Sequence, residues 1–227
     1  MNKRIKTFLV SIFSLLFVLS TNLIVNAHPS KQNNILKSEY HSTYGGYYVG
    51  GESVGWSIDE NNHAGGTYIN YTWQTGDACL TAARKSLVQQ GAAKWAPCGT
   101  IENEIGGNTY TGGKIGTFDP GPNSGTVAQF YDFASDSQGN LYYWKIDMNW
   151  RMNVTSTTMA HEFGHVFGLN DLYNSSNSNK LMFGYSSRTA SGPTATDVKG
   201  FNVITGIHTT HSFNTSGVCT GCGGLKK

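Results

Sequence analysis

The chain has 227 residues and a formal charge of +2; 38% of its side chains are apolar, 13% are charged, and it holds 12 Tyr, 11 Phe and 5 Trp. This composition supplies one sizeable hydrophobic core and excludes an intrinsically disordered chain. A near-neutral charge with no basic cluster beyond the first few residues also excludes a nucleic-acid binder.

At the N-terminus, Lys3, Arg4 and Lys6 precede an apolar run from Thr7 to Val25 that ends in Val25-Asn26-Ala27. This is the charged, apolar and small-residue order of a secretory signal, so residues 1–27 are expected to be removed. Ser11, Ser14, Ser20, Thr21 and Asn22 interrupt the run, which suits a cleaved signal better than a membrane span. The segment carries three basic and no acidic residues; without it 13 basic face 14 acidic side chains, and the net charge is −1. The expected product is an extracellular protein with no membrane attachment. Export makes disulfides the default for the four cysteines, Cys79, Cys98, Cys219 and Cys222.

Residues 28–43 are polar and unpatterned and read as a flexible lead-in or short pro-segment. With no internal repeat, residues 44–227 form one domain, expected to be monomeric. Tyr44 to Ile58 mixes aromatics with five glycines and suits bulged extended chain. Thr67 to Trp73 places Ile69, Tyr71 and Trp73 on one face, which predicts a half-buried strand. Asp77 can cap a helix reaching about Trp95 and stopped by Pro97. Cys79 and Cys98 bracket that helix, and a bridge between them would close a loop of about 20 residues and stabilise by about 3 kcal/mol.

Residues 105–125, rich in glycine with Pro120 and Pro122, predict loops. Thr126 to Phe133 and Leu141 to Met148 predict strands joined by a turn over Ser135 to Asn140. Tyr142, Trp144, Ile146 and Met148 alternate onto one face of the second strand, whose edge, if open, could pair an extended substrate. Asp119, Asp132 and Asp136 offer oxygen ligands for Ca2+, but no specific calcium motif orders them. His63, His208 and His211 lack ligand spacing to any partner and read as hydrogen-bonded or surface histidines. Cys219-Thr-Gly-Cys222 reads as a small terminal disulfide loop, because no second CxxC accompanies it.

The chemistry concentrates in Thr155 to Asp171, TSTTMAHEFGHVFGLND. Thr and Ser can cap a helix whose apolar positions Met159, Phe163, Val166 and Phe167 recur at helical spacing. His161 and His165, four apart, project from one face close enough to grip one zinc ion, with Glu162 beside them. Zinc acidifies a water, and a carboxylate placed there takes its proton during attack on a carbonyl. A catalytic zinc needs a third protein ligand. Gly168 can take a positive φ and turn the chain so that Asp171 points back at the metal.

HEFGHVFGLND resembles the HExxHxxGxxH/D signature of metzincin zinc peptidases, and its final aspartate is similar to the snapalysin group. KLMFGY, Lys180 to Tyr185, resembles the methionine turn of that family, with Met182 in the methionine position. Ile146-Asp147-Met148-Asn149-Trp150 before the zinc helix and Asp197-Val198-Lys199-Gly200-Phe201 after it look matrixin-like.

The resemblance implies an α+β zincin: a twisted mixed sheet, a backing helix, a zinc-binding helix at the cleft and a small C-terminal subdomain. It implies one Zn2+ held by His161, His165 and Asp171, with Glu162 as base and Met182 as a floor that does not coordinate. Tyr185, three residues after Met182, is a candidate oxyanion or pocket residue. The expected activity is endoproteolysis of protein or peptide substrates; the alternatives are a binding or adhesion module on an inactive metzincin scaffold, or a zinc hydrolase of a nonpeptide amide. Because imidazoles must be neutral to bind metal, activity is expected to fall below roughly pH 5 to 6.

Overall fold

Alternating burial along two stretches builds the centre of the main sheet: Ile69 and Tyr71 turn inward from β4 (Tyr68–Trp73), and Trp144, Ile146 and Met148 from β8 (Leu141–Asn149). The computed structural model describes residues 38–41, 46–104, 112–137 and 139–205. Signal residues 1–27, the Cys219–Cys222 loop, and His208 and His211 lie outside them.

The architecture is α+β. Strands β5 (Thr100–Asn103), β6 (Gly112–Phe118) and β7 (Ala128–Ser135) complete a five-stranded sheet of order β5-β4-β6-β8-β7. The first four strands run parallel, and β7 runs antiparallel to β8 on the outside. A separate antiparallel meander comprises β1 (Ser38–His41), β2 (Gly46–Gly51) and β3 (Trp56–Ile58). Three helices, α1 (Ala82–Ala93), α2 (Ser156–Val166) and α3 (Ala195–Thr205), accompany the sheets.

Helix α2 packs against both α1 and the sheet, and α1 also meets β5. Its Phe163 contacts Tyr71 and Trp144 of the sheet, while Trp95, just beyond α1, donates from Nε1 to the Ala160 carbonyl at 2.8 Å. Gly91 of α1 makes this approach close: a β-carbon there would stand 2.6 Å from Met159 Cβ and 2.8 Å from the Ala160 backbone nitrogen. Phe167 and Phe201 meet edge to face at 4.8 Å, fastening α3 to the same core.

Five expectations change. Four residues assigned to the lead-in, Ser38–His41, pair as β1. Helix α1 starts at Ala82 under a Thr81 cap whose hydroxyl accepts from Arg84 N, because the Asp77 carboxylate is already engaged by Thr117 N and Oγ1 and by Cys79 N. β6 occupies part of the expected loop: Gly113 is the surface on which the Trp144 ring lies, so its lack of a side chain serves packing rather than a turn. β8 is paired on both sides and cannot accept a substrate strand; β7 is the edge. Finally, Cys79 and Cys98 are not joined in a disulfide. They flank α1, whose 12 residues rise about 18 Å at 1.5 Å per residue, so a bridge, which needs Cα atoms within about 7 Å, would require the flanking segments to fold back along the helix.

Among the described residues no helix is long and apolar enough to cross a membrane.

Candidate metal centre and active site

Thr155 caps α2 through its hydroxyl, which accepts from Thr158 N at 3.1 Å, and the helix carries His161, Glu162 and His165 into a cleft of about 1090 Å³. Gly168 ends this segment at φ +92°, where a β-carbon would overlap His63. The turn leads Asn170 N to the Ser57 carbonyl at 2.9 Å, beside β3, and delivers Asp171 back to the histidines.

Each imidazole is fixed by its Nδ1: His161 Nδ1 lies 2.9 Å from the Leu181 carbonyl and His165 Nδ1 2.7 Å from the Leu169 carbonyl. Those carbonyls can only accept, so the Nδ1 atoms carry protons, and in the neutral rings both Nε2 atoms are left with lone pairs, whereas in the protonated rings they donate toward Asp171. The two Nε2 atoms face one carboxylate oxygen, Asp171 Oδ1, at 3.0 and 3.6 Å. With both rings neutral, three electron-pair donors converge in one place and repel unless a cation, a metal ion or a ring proton, stands among them. Among the described residues this is the one cluster of His, Cys, Asp or Glu groups suited to an ion, with ligand atoms all within 4.8 Å of one another. Two imidazoles and one carboxylate match the donor chemistry of zinc.

Burial alone would raise the Asp171 carboxyl, but His165, His161 and the Tyr173 hydroxyl outweigh it and hold it well below the usual carboxylate range. Tyr173 donates from its hydroxyl to Asp171 Oδ2 at 3.1 Å. Glu162 shows the opposite shift: only 6% exposed, it is pushed up to about 7, mainly by burial, while His165, Arg188 and the Phe130 N–H partly offset the rise.

Met182 is buried under Gly164, between the two histidines in sequence; a β-carbon on Gly164 would overlap its sulfur. The turn carrying Met182 is held by Asp197, whose carboxylate accepts from Leu181 N at 3.0 Å and Met182 N at 3.2 Å and also from Thr194 N and Oγ1 at the start of α3. Tyr185 is 54% exposed on the cleft wall, with its ring edge-on to Tyr173 and Phe183.

The aspartates considered for calcium are dispersed. Asp119 takes a two-pronged contact from Arg151 at 2.6 and 2.7 Å, and Asp136 accepts from Asn140. Asp132 is exposed on β7. His63 is buried with Nδ1 3.0 Å from the Ala64 carbonyl, remote in role from the metal cluster. Sequence spacing missed Tyr173 and Asp197. Tyr173 had a usable signal, standing two residues from Asp171 on extended chain, which places both side chains on one side. Asp197 stands out in the sequence only as the start of the matrixin-like stretch, and its role had no signal, because its partners lie 15 and 16 residues away.

No protein-family model matches this chain, and no curated protein sequence matches it at a significant level.

Proposed function

We propose that this protein is a secreted zinc-dependent endopeptidase of the metzincin type. The observation that carries the proposal is the convergence of His161 Nε2, His165 Nε2 and Asp171 Oδ1 beside the buried carboxyl of Glu162 at the floor of an open cleft. The methionine turn beneath Gly164 and a mixed sheet backed by α1 support the family resemblance.

His161, His165 and Asp171 would hold the ion, and the ion, when bound, supplies Lewis acidity toward a water and the scissile carbonyl. Glu162 takes the water proton and hands it to the departing amine; it is placed for both steps by its burial beside the two histidines at the cleft floor. Tyr173 holds Asp171 in position and the two backbone carbonyls hold the imidazoles. β7 favours a peptide over a small amide: Gly125 to Phe130 line the cleft along the sheet's outer strand, whose backbone groups can align an extended chain.

The test is cleavage of an unfolded protein by the purified enzyme before and after a zinc chelator, with Glu162→Ala as contamination control. Chelator-sensitive, zinc-restored cutting is expected; Glu162→Ala should keep its zinc by elemental analysis while losing about 10²–10⁴-fold in rate, and His161→Ala should lose both. A fully active Glu162→Ala protein, or no cutting by zinc-loaded wild type, would overturn the proposal.

A further inference from the structure

On the side of the cleft next to Glu162, the loop leaving the methionine turn carries a guanidinium. Arg188 is the one Lys or Arg among the described residues that line the cleft. Its Nε donates to the Phe183 carbonyl at 3.1 Å, and its backbone N–H donates to the Tyr185 carbonyl at 3.1 Å. The loop is tied down on the following side as well: Thr189 N donates to the Ser178 carbonyl at 2.8 Å, and Thr157 Oγ1 of α2 donates to the Ser191 carbonyl at 3.3 Å. The guanidinium is therefore preorganised by the backbone around it, at little further cost in side-chain entropy.

Arg188 is half-buried, yet among the described residues no carboxylate comes within ion-pair distance of it. Glu162, Asp171 and Asp197 act on it only through space, and burial weakens its hold on its proton. A partly desolvated cation without an ion-pair partner, anchored by one nitrogen at the wall of a cleft, is suited to receive an anion from the ligand, and a guanidinium fork fits a carboxylate with two parallel bonds. Ala190, Thr157 and Thr158 beside it are small, leaving room for a short side chain.

We propose that Arg188 is a specificity-determining residue that selects substrates bearing a carboxylate side chain, Asp or Glu, adjacent to the scissile bond. The inference rests on the endopeptidase reading for its biological meaning, but anion recognition at this wall can be measured without turnover.

Two readouts test it. In the first, zinc-loaded protein digests a complex peptide mixture and the cut sites are read by mass spectrometry. Wild type is expected to enrich Asp and Glu beside the cut, Arg188→Gln to lose that enrichment about tenfold in kcat/KM, and Arg188→Glu to shift it toward Lys and Arg. In the second, calorimetry compares a short peptide containing Asp with its Asn twin on chelator-treated protein; the Asp peptide should bind wild type about tenfold tighter, and Arg188→Gln should bind the two equally. Arg188→Lys, which keeps the charge without the fork, should retain part of the preference and serves if Arg188→Gln misfolds. Cutting without acidic enrichment, or equal binding of the twin peptides by wild type, overturns the assignment of Arg188 and leaves the endopeptidase reading standing. Discrimination of the twins without any cutting supports Arg188 and overturns the endopeptidase reading instead.

Discussion

Glu162 and Asp171 both belong to one small cluster, and their proton affinities move in opposite directions. Glu162 is raised from an ordinary value of 4.5 to about 7. Between those values the metal-free folded protein binds a proton that the unfolded chain has released, so stability falls as pH rises through this window, by on the order of 3 kcal/mol. The depressed Asp171 contributes the reverse slope at lower pH: its stabilisation is present above the unfolded value of 3.8 and is lost as pH falls. Thermal melting of metal-free wild type is expected to show this decline between pH 5 and 7, and Glu162→Gln is expected to lose it. Tyr173→Phe should keep the fold and weaken zinc affinity about tenfold, measured by competition with a chromogenic chelator. At this scale the convergence of His161, His165 and Asp171 was legible because helical period and the Gly168 turn are local: HExxH puts two imidazoles on one face, and a positive-φ glycine reverses the chain three residues before Asp171. Tyr173 acts through a contact that a metal motif does not encode, and Asp197 and Arg188 act through the tertiary course of the chain.

Helices and strands were legible where burial is periodic. The strand at Thr67–Trp73, the second strand of the β7–β8 pair and the zinc helix stand close to where alternation and 3.6-residue spacing placed them. β6 was not, because Gly112, Gly113 and Gly116 read as turn-formers while their function is to let neighbours approach. Gly113 accommodates the Trp144 ring, and Gly116 accommodates the Asp147 carboxylate, whose Oδ1 would stand 2.8 Å from an added β-carbon. The Asp77 cap failed for a related reason: Asp77 finds a better donor in Thr117 N, at 2.6 Å, on a strand 40 residues later. Gly164 illustrates the same logic inside α2. Gly164→Ala would ordinarily favour a helix, yet here the methyl meets the Met182 sulfur, and the expected result is a loss of about 1–3 kcal/mol in chemical denaturation, together with weaker zinc retention. An unchanged or increased stability would mean that Met182 is free to yield.

Across the whole molecule, the His161, His165 and Asp171 cluster and its supports join parts of the chain that share no sheet: α2, the turn after Gly168 and the turn carrying Met182. A ligand that binds only the folded arrangement stabilises it by mass action, so zinc at 1,000 times its dissociation constant should add about 4 kcal/mol. The expected outcome is a reversible drop in Tm on chelation that His161→Ala abolishes; a Tm insensitive to chelator would remove the ion from the account of stability. Global features were the least legible. An α+β class follows from the mixture of periods, whereas the strand order and the burial of β8 between β6 and β7 depend on pairings between distant segments that one sequence does not display. The separation of Cys79 from Cys98 likewise follows from the length of α1 rather than from their compartment.

Asp197 ties the start of α3 to the turn under the metal ligands. During synthesis the histidines emerge well before that carboxylate does, and until Asp197 arrives the floor beneath them lacks two of the hydrogen bonds that hold it. The order of the chain thus makes completion of this floor wait for a residue made well after the histidines it supports. A series of C-terminal truncations scored for zinc uptake is expected to change abruptly between chains ending at Thr194 and at Thr205, whereas a gradual decline would show that the floor stands without α3.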